Sequence, residues 1–169
     1  MTADELRLLQ APVKALYRAD PAAASRTLTA EGTLLVEKLI CRVVTDNGPA
    51  DAGLHQAAGG KLPSVCSGDV LLQSLVACAG VTLQAVAAAM SIPVRGGTVR
   101  AEGDLDFRGT LGVSKEAPVG FKSIRLVFEL DSDATAEQLA TLCKLTERYC
   151  VIYQTFKVPP AVSCNIARH

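Results

Sequence analysis

Hydrophobic and polar positions change their period several times along this chain, and each change predicts an element. Residues 3–18 (ADELRLLQAPVKALYR) place Leu6, Leu9, Val13, Leu16 and Tyr17 at near-helical spacing. That predicts a short amphipathic helix, kinked or broken by Pro12. Asp20-Pro21 ends it, because the residue before a proline is pushed out of the helical region. Two β-like stretches follow, RTLTAEG (26–32) and LLVEKLICRVVT (34–45), with Glu31-Gly32 as the turn between them. The second is apolar on both faces, as a central or interface strand is. Residues 46–68 form a Gly/Ala/Pro-rich connection of the length that usually serves function or motion.

Asp69 to Met90 (DVLLQSLVACAGVTLQAVAAAM) is the most distinctive segment, since no charge follows Asp69 until Arg95. A helix apolar on nearly every side is predicted to be buried on every side. Ser67 is placed to cap it, and Asp69 puts a carboxylate in the first turn, where the helix dipole favours it. The rival reading is a membrane span, for which the length suffices. Gln73, Ser74, Thr82, Gln84, the many alanines and the lack of basic flanks favour a soluble core instead.

Thr98 to Arg108 then alternates, with Val99, Ala101, Leu105 and Phe107 on one face and charged residues on the other. A period of two marks a half-solvated antiparallel strand. Gly109–Gly120 reads as a loop, and 121–130 (FKSIRLVFEL) as a strand with Ile124, Leu126, Phe128 and Leu130 inward. Asp133 or Thr135 caps a second helix running to Lys157, with Leu139, Leu142, Thr146, Tyr149 and Tyr153 as its packing stripe. Pro159-Pro160 stops it, and AVSCNIA (161–167) reads as a closing strand. The order predicts an α+β fold, sheet wrapped around helices, in one domain over 1–169 with 1–21 as an N-terminal helical extension.

Composition narrows the function classes. Hydrophobic residues make up 49% and charged residues 20%, a soluble globular composition. Lys+Arg and Asp+Glu balance at 17 each, so no global field recruits nucleic acid or an anionic membrane. The N-terminus, with Asp4, Glu5 and Arg7, is not a secretory signal, which predicts a cytoplasmic, reducing setting and free thiols. No two of the six cysteines have paired zinc-ligand spacing and only two His exist, so neither a metal nor another cofactor is expected. Neither Gly-bearing loop with a lysine, GGKLP (59–63) or 109–120, fits a phosphate-binding motif, and no serine sits in an elbow.

Chemistry therefore falls to cysteine. Cys78 lies mid-way along the apolar helix, where burial alone makes a thiol inert. It becomes a nucleophile only if a cation or hydrogen-bond donors stabilise the thiolate; Arg18, Arg26, Arg42 and Arg148 are the candidate cations. Cys143 and Cys150 are one heptad apart, hence about 10 Å along one helix face, too far for a disulfide. Any bridge to Cys150 comes from another element. Cys41 and Cys164 read as structural, and Cys66 as a thiol at a helix N-terminus.

Two runs, GDVLLQSLVACAGVTL (68–83) and ERYCVIYQTFKVPPAVS (147–163), resemble the osmotically-inducible-protein/organic-hydroperoxide-resistance (OsmC/Ohr-like) family over roughly residues 26–167. The resemblance implies antiparallel sheets around the long central helix, an intertwined homodimer and active sites at the subunit interface. It also implies a peroxidatic Cys78 and a resolving Cys150, acting on organic hydroperoxides or hydrogen peroxide. A lipoyl- or thioredoxin-type dithiol reductant would reopen the disulfide. The organic-hydroperoxide branch carries a Glu ten residues before the reactive Cys, partnering an Arg. Here that position is Gly68, with Asp69 next to it as the possible substitute and Arg26 as the possible Arg. That departure motivates a second expectation: a non-catalytic redox sensor or small-molecule-binding protein of the same fold, with structural cysteines.

Overall fold

The computed structural model describes residues 2–61 and 64–168, so Leu62 and Pro63 of the GGKLP run lie outside the described residues. The chain opens on helix α1 (Ala3–Ala19). A reciprocal capping box starts it: the Glu5 N–H donates to the Thr2 hydroxyl and the Thr2 N–H to the Glu5 carboxylate. Contrary to expectation α1 runs on through Pro12, whose missing N–H removes one bond from a helix that also rests on a neighbour. It stops at Asp20-Pro21 as predicted.

A four-stranded sheet comes next, in the order β1 (Gly32–Leu35), β2 (Ile40–Val43), β3 (Ala50–Gly53), β4 (Val65–Cys66). Its first two pairings are antiparallel and the last is parallel. The predicted long strand at 34–45 is thus a hairpin. Its turn lies at Val36–Lys38 and the left-handed Leu39 rather than at Glu31-Gly32. Both arms are apolar, so period alone did not show the reversal. Residues 26–31, expected to be a strand, form none.

Helix α2 (Ser67–Ala89) follows, capped by Cys66 instead of Ser67, which lies inside the first turn. Its fully buried positions are Leu75, Ala79, Leu83 and Ala87, a stripe repeating every four residues. Burial on every side is therefore not achieved within one chain; Val81, on another face, stays 68% exposed. α2 is long and apolar enough to cross a membrane by composition, yet its stripe packs on elements of the same chain.

Strand β5 (Gly96–Asp104) pairs antiparallel with β6 (Ser123–Asp131) in a separate sheet, Val99 opposite Phe128 and Ala101 opposite Leu126. Ile124, Leu126, Phe128 and Leu130 alternate inward as predicted. β5 ends before Leu105: the Asp106 carboxylate accepts the Arg108 N–H and caps the single turn α3 (Phe107–Thr110). Phe107 there stacks on His55, ring centroids 4.8 Å apart.

The predicted second helix is two. α4 (Ala136–Tyr149) and α5 (Val151–Lys157) are joined through Cys150, an extended residue at φ −74, ψ 112. The Gln154 side-chain amide donates to the Glu147 carbonyl across the break. Within α4 the buried Thr146 hydroxyl donates to the Leu142 carbonyl, 2.8 Å away. Of the expected stripe Leu142 and Thr146 are buried, while Tyr149 is exposed. Residues 161–167 form no strand, and among the described residues none pairs with them. Cys164, expected to be structural, is accordingly exposed.

Two hydrophobic clusters form the core. One joins Leu83, Ala87, Ile92 and Leu142; the other joins Leu75, Ala79 and Cys150, with Cys78 against it.

Candidate active site

The apolar stripe of α2 brings Cys78 to the break between α4 and α5. Leu71, Leu75 and Cys78 follow each other at four- and three-residue steps, so they share one helix face. That face meets the chain where Cys150 turns from α4 into α5. The two cysteines expected to act together are thus neighbours in one hydrophobic cluster, and each shifts the other's thiol. All six cysteines are free thiols.

Their surroundings differ. Cys78 is half-buried, whereas Cys150 has no exposed surface. Burial pushes the Cys78 thiol up, but it is outweighed by donors to the sulfur. These are the Ile152 N–H, the Cys150 thiol, the Val151 N–H and the Thr82 hydroxyl, and together they hold Cys78 below the ordinary thiol value. At Cys150 burial dominates and pushes the thiol up; the Tyr153 N–H, 3.5 Å from its sulfur, offsets this in part, and the neighbouring Cys78 adds to it. The two neighbouring thiols are thus shifted in opposite directions, Cys78 down and Cys150 up.

The donors come from the break itself. A continuous helix would bond the Val151 and Ile152 amides to carbonyls one turn back; the extended Cys150 leaves them unbonded in the first turn of α5. The sequence missed them because no proline or glycine marks the break. Thr82 was legible in principle, four residues from Cys78 and so on the same face.

The two tuning candidates stand elsewhere. Arg26 is exposed on the irregular stretch after α1, its guanidinium donating to the Ser25 carbonyl. Asp69 is an exposed first-turn residue of α2, and among the described residues it forms no ion pair. At Gly68 a Cβ would stand 3.5 Å from the Phe121 ring and 3.7 Å from Leu105, so this end of the helix is surrounded by apolar atoms.

A cavity of about 770 Å³ runs along the same face of α2. Leu71, Leu75, Phe121, Ile124, Phe156 and the buried Cys150 are among its lining residues, while Cys78 is not. Glu147 and Tyr153 line it as well, and burial, the Glu147 charge and a hydrogen bond to that carboxylate push the Tyr153 phenol up. Cys143 opens onto the cavity too, its thiol raised by burial and by Glu147. Among the described residues no three His, Cys, Asp or Glu side chains group so as to hold a metal ion.

Comparison with curated proteins finds no match. Solved structures share the fold. An OsmC-like protein from Mycoplasma pneumoniae superposes with TM-score 0.66 at 15% identity, covering 80% of this chain and 90% of its own. An organic hydroperoxide resistance protein OsmC from Legionella pneumophila gives 0.62 at 17%, over 80% and 92%. The organic hydroperoxide resistance protein OhrB of Bacillus subtilis gives 0.57 at 19%, over 78% and 93%. The family model described as OsmC-like protein matches residues 59–165, well over half of the chain and both cysteines of the site. The chain belongs to the OsmC-like protein family.

Proposed function

We propose that this protein is a two-cysteine thiol peroxidase that reduces organic hydroperoxides or hydrogen peroxide in oxidative or osmotic stress. The observation that carries the reading is the asymmetry of two adjacent thiols: a half-buried Cys78 held low by donors, and a fully buried Cys150 held high. Attack needs a thiolate that substrate can reach, and resolution needs a protonated thiol beside it. The Cys78 thiolate attacks the terminal peroxide oxygen, the O–O bond breaks, and the alkoxide leaves and is protonated to the alcohol. Cys78 is now a sulfenic acid. Cys150 attacks its sulfur, the S–O bond breaks, the Cys150 proton joins the departing hydroxide, and one water leaves as the disulfide forms. An external dithiol of lipoyl or thioredoxin type then exchanges with the disulfide and returns both thiols.

The names of the Legionella and Bacillus relatives support a hydroperoxide substrate. A homodimer is supported by apolar side chains that one chain leaves uncovered, among them Leu28 at 92%, Leu34, Leu39, Val81 and Ile166 at 94% exposure. Free thiols suit a reducing, cytoplasmic setting. Asp69 and Arg26 enter the tuning of Cys78 only through an assembly that brings them to it.

Cys78→Ser abolishes turnover, whereas Cys150→Ser consumes one peroxide per chain and stops at a sulfenic acid trapped by dimedone. Full multi-turnover activity in both variants would overturn the reading. A second reading, a redox sensor or binding protein of the same fold, is favoured by Gly68 in place of a carboxylate and by the lack of a cation among the groups acting on Cys78. It requires ordinary alkylation rates at Cys78 and no Cys78–Cys150 disulfide after a stoichiometric peroxide pulse.

A further inference from the structure

The break between α4 and α5 lacks a proline to enforce it, and one side chain occupies the carbonyl that an unbroken helix would need. We propose that Gln154 is a positioning residue: it takes the Glu147 carbonyl, holds the break open and keeps the first amides of α5 beside Cys78. The inference deepens the peroxidase reading, on which its bearing on turnover rests; its geometry stands apart from that reading.

The backbone bonds across the break can be followed one by one. The α4 ladder ends where the Cys150 N–H donates to the Thr146 carbonyl, 2.9 Å away. The α5 ladder starts where the Gln154 N–H donates to the Cys150 carbonyl, also at 2.9 Å. Between them the Tyr153 N–H turns to the Cys150 sulfur, and no carbonyl among the described residues accepts the Val151 or Ile152 N–H. An unbroken helix would return Val151 to the Glu147 carbonyl and Ile152 to that of Arg148. Arg148 is exposed to water. Glu147 is half-buried, and its carbonyl takes a hydrogen bond from the Gln154 side-chain amide, 2.7 Å away.

Gln154 thus stands in for the amide that left. With that acceptor taken, Val151 gains no bond by turning back, and α5 stays packed on α2 with Ile152 in the same cluster as Cys78. From there the Val151 and Ile152 amides act on the Cys78 sulfur. Few other groups reach it. β5 and β6 turn Ala101, Ile124, Leu126 and Phe128 toward the cluster and keep Arg100, Glu102 and Arg125 on their other face. α1 meets α2 through Leu6 and Gln10, which line one cavity with Gly80 and Gln84. On the α4–α5 side the titratable neighbours are the Cys150 thiol and the Tyr153 phenol, with the Glu147 carboxylate against that phenol. α2 itself adds the Thr82 hydroxyl, and no charged side chain is among the groups acting on Cys78. Its thiolate therefore depends on where the break holds those two amides.

Gln154→Met keeps the length of the side chain and removes its donor. Iodoacetamide alkylation of Cys78 in the reduced chain is followed by peptide mass spectrometry across pH. The midpoint of the rate–pH curve moves up by about one pH unit, a tenfold loss of thiolate relative to thiol at a fixed pH. Gln154→Ala removes the same donor, gives the same shift, and carries the test if the methionine variant does not fold. Thr155→Val is the control: the Thr155 hydroxyl donates to the Val151 carbonyl, 2.9 Å away, within α5 and not across the break. It loses a side-chain-to-carbonyl bond of the same kind and keeps the parent midpoint. An unmoved midpoint in the Gln154 variants, even with a lower urea midpoint, or an equal shift in Thr155→Val, would overturn the proposal. Hydroperoxide turnover by the parent chain separates the two claims. A shifted midpoint without turnover keeps the role of Gln154 and sinks the peroxidase; turnover with coincident midpoints does the reverse.

Discussion

The two halves of this molecule are built to different degrees. Every fully buried residue, from Leu75 to Cys150, lies after residue 74 among the described residues. There α2 packs on β5–β6 and on α4–α5, and the cysteine pair sits inside that packing. The four-stranded sheet before it contributes no buried side chain and leaves Leu28, Leu34, Val36, Leu39 and Val44 largely exposed. Its strands are as apolar as those of the C-terminal sheet. Within one chain the cysteine pair is packed, while the N-terminal half leaves apolar side chains uncovered, which suits the second copy proposed above.

Cutting into the packed half gives the largest effect. Leu142 is 1% exposed at the junction of α2 and α4. Leu142→Ala costs about 3 kcal/mol of folding stability, read as a lower urea midpoint with an unchanged slope. The uncovered half responds differently. Leu39→Asp keeps the left-handed turn, which Asp tolerates, but removes an exposed apolar side chain. It weakens self-association roughly tenfold in sedimentation equilibrium, about 1.4 kcal/mol, with little change in the folding of the C-terminal half. An equal loss of urea stability at all concentrations would erase the distinction between the halves.

The smallest effect is within the site. Donors lower the Cys78 thiol, so removing one raises it and leaves less thiolate at a given pH. Thr82→Val therefore slows iodoacetamide alkylation of Cys78 at pH 7 about threefold. The midpoint of its rate–pH curve moves upward, while Cys150 stays unreactive throughout. No shift in the midpoint would assign the lowering wholly to the Val151 and Ile152 amides.

How much was legible follows from what each signal depends on. The inward alternation of β6 and the apolar run of α2 are local periods, and they were read correctly. The hairpin at 32–43 and the break at Cys150 were not, because neither the turn at Val36–Lys38 nor Cys150 has a glycine or proline to mark a reversal. Missing the break hid the two amides that stabilise the Cys78 thiolate. Phe121 was read only as the first residue of a strand, since its packing needs two glycines that lie 18 and 53 residues away in sequence, at 103 and 68.

By itself the sequence determined the α+β order, offered two cysteines as candidates and showed Gly68 where the family it resembles has a Glu, all of which depend on residue type and spacing. Tertiary structure alone decided how differently the two thiols are surrounded. Acidity depends on which donors surround the sulfur and on how much water reaches it, and both are set by contacts between α2 and the α4–α5 break.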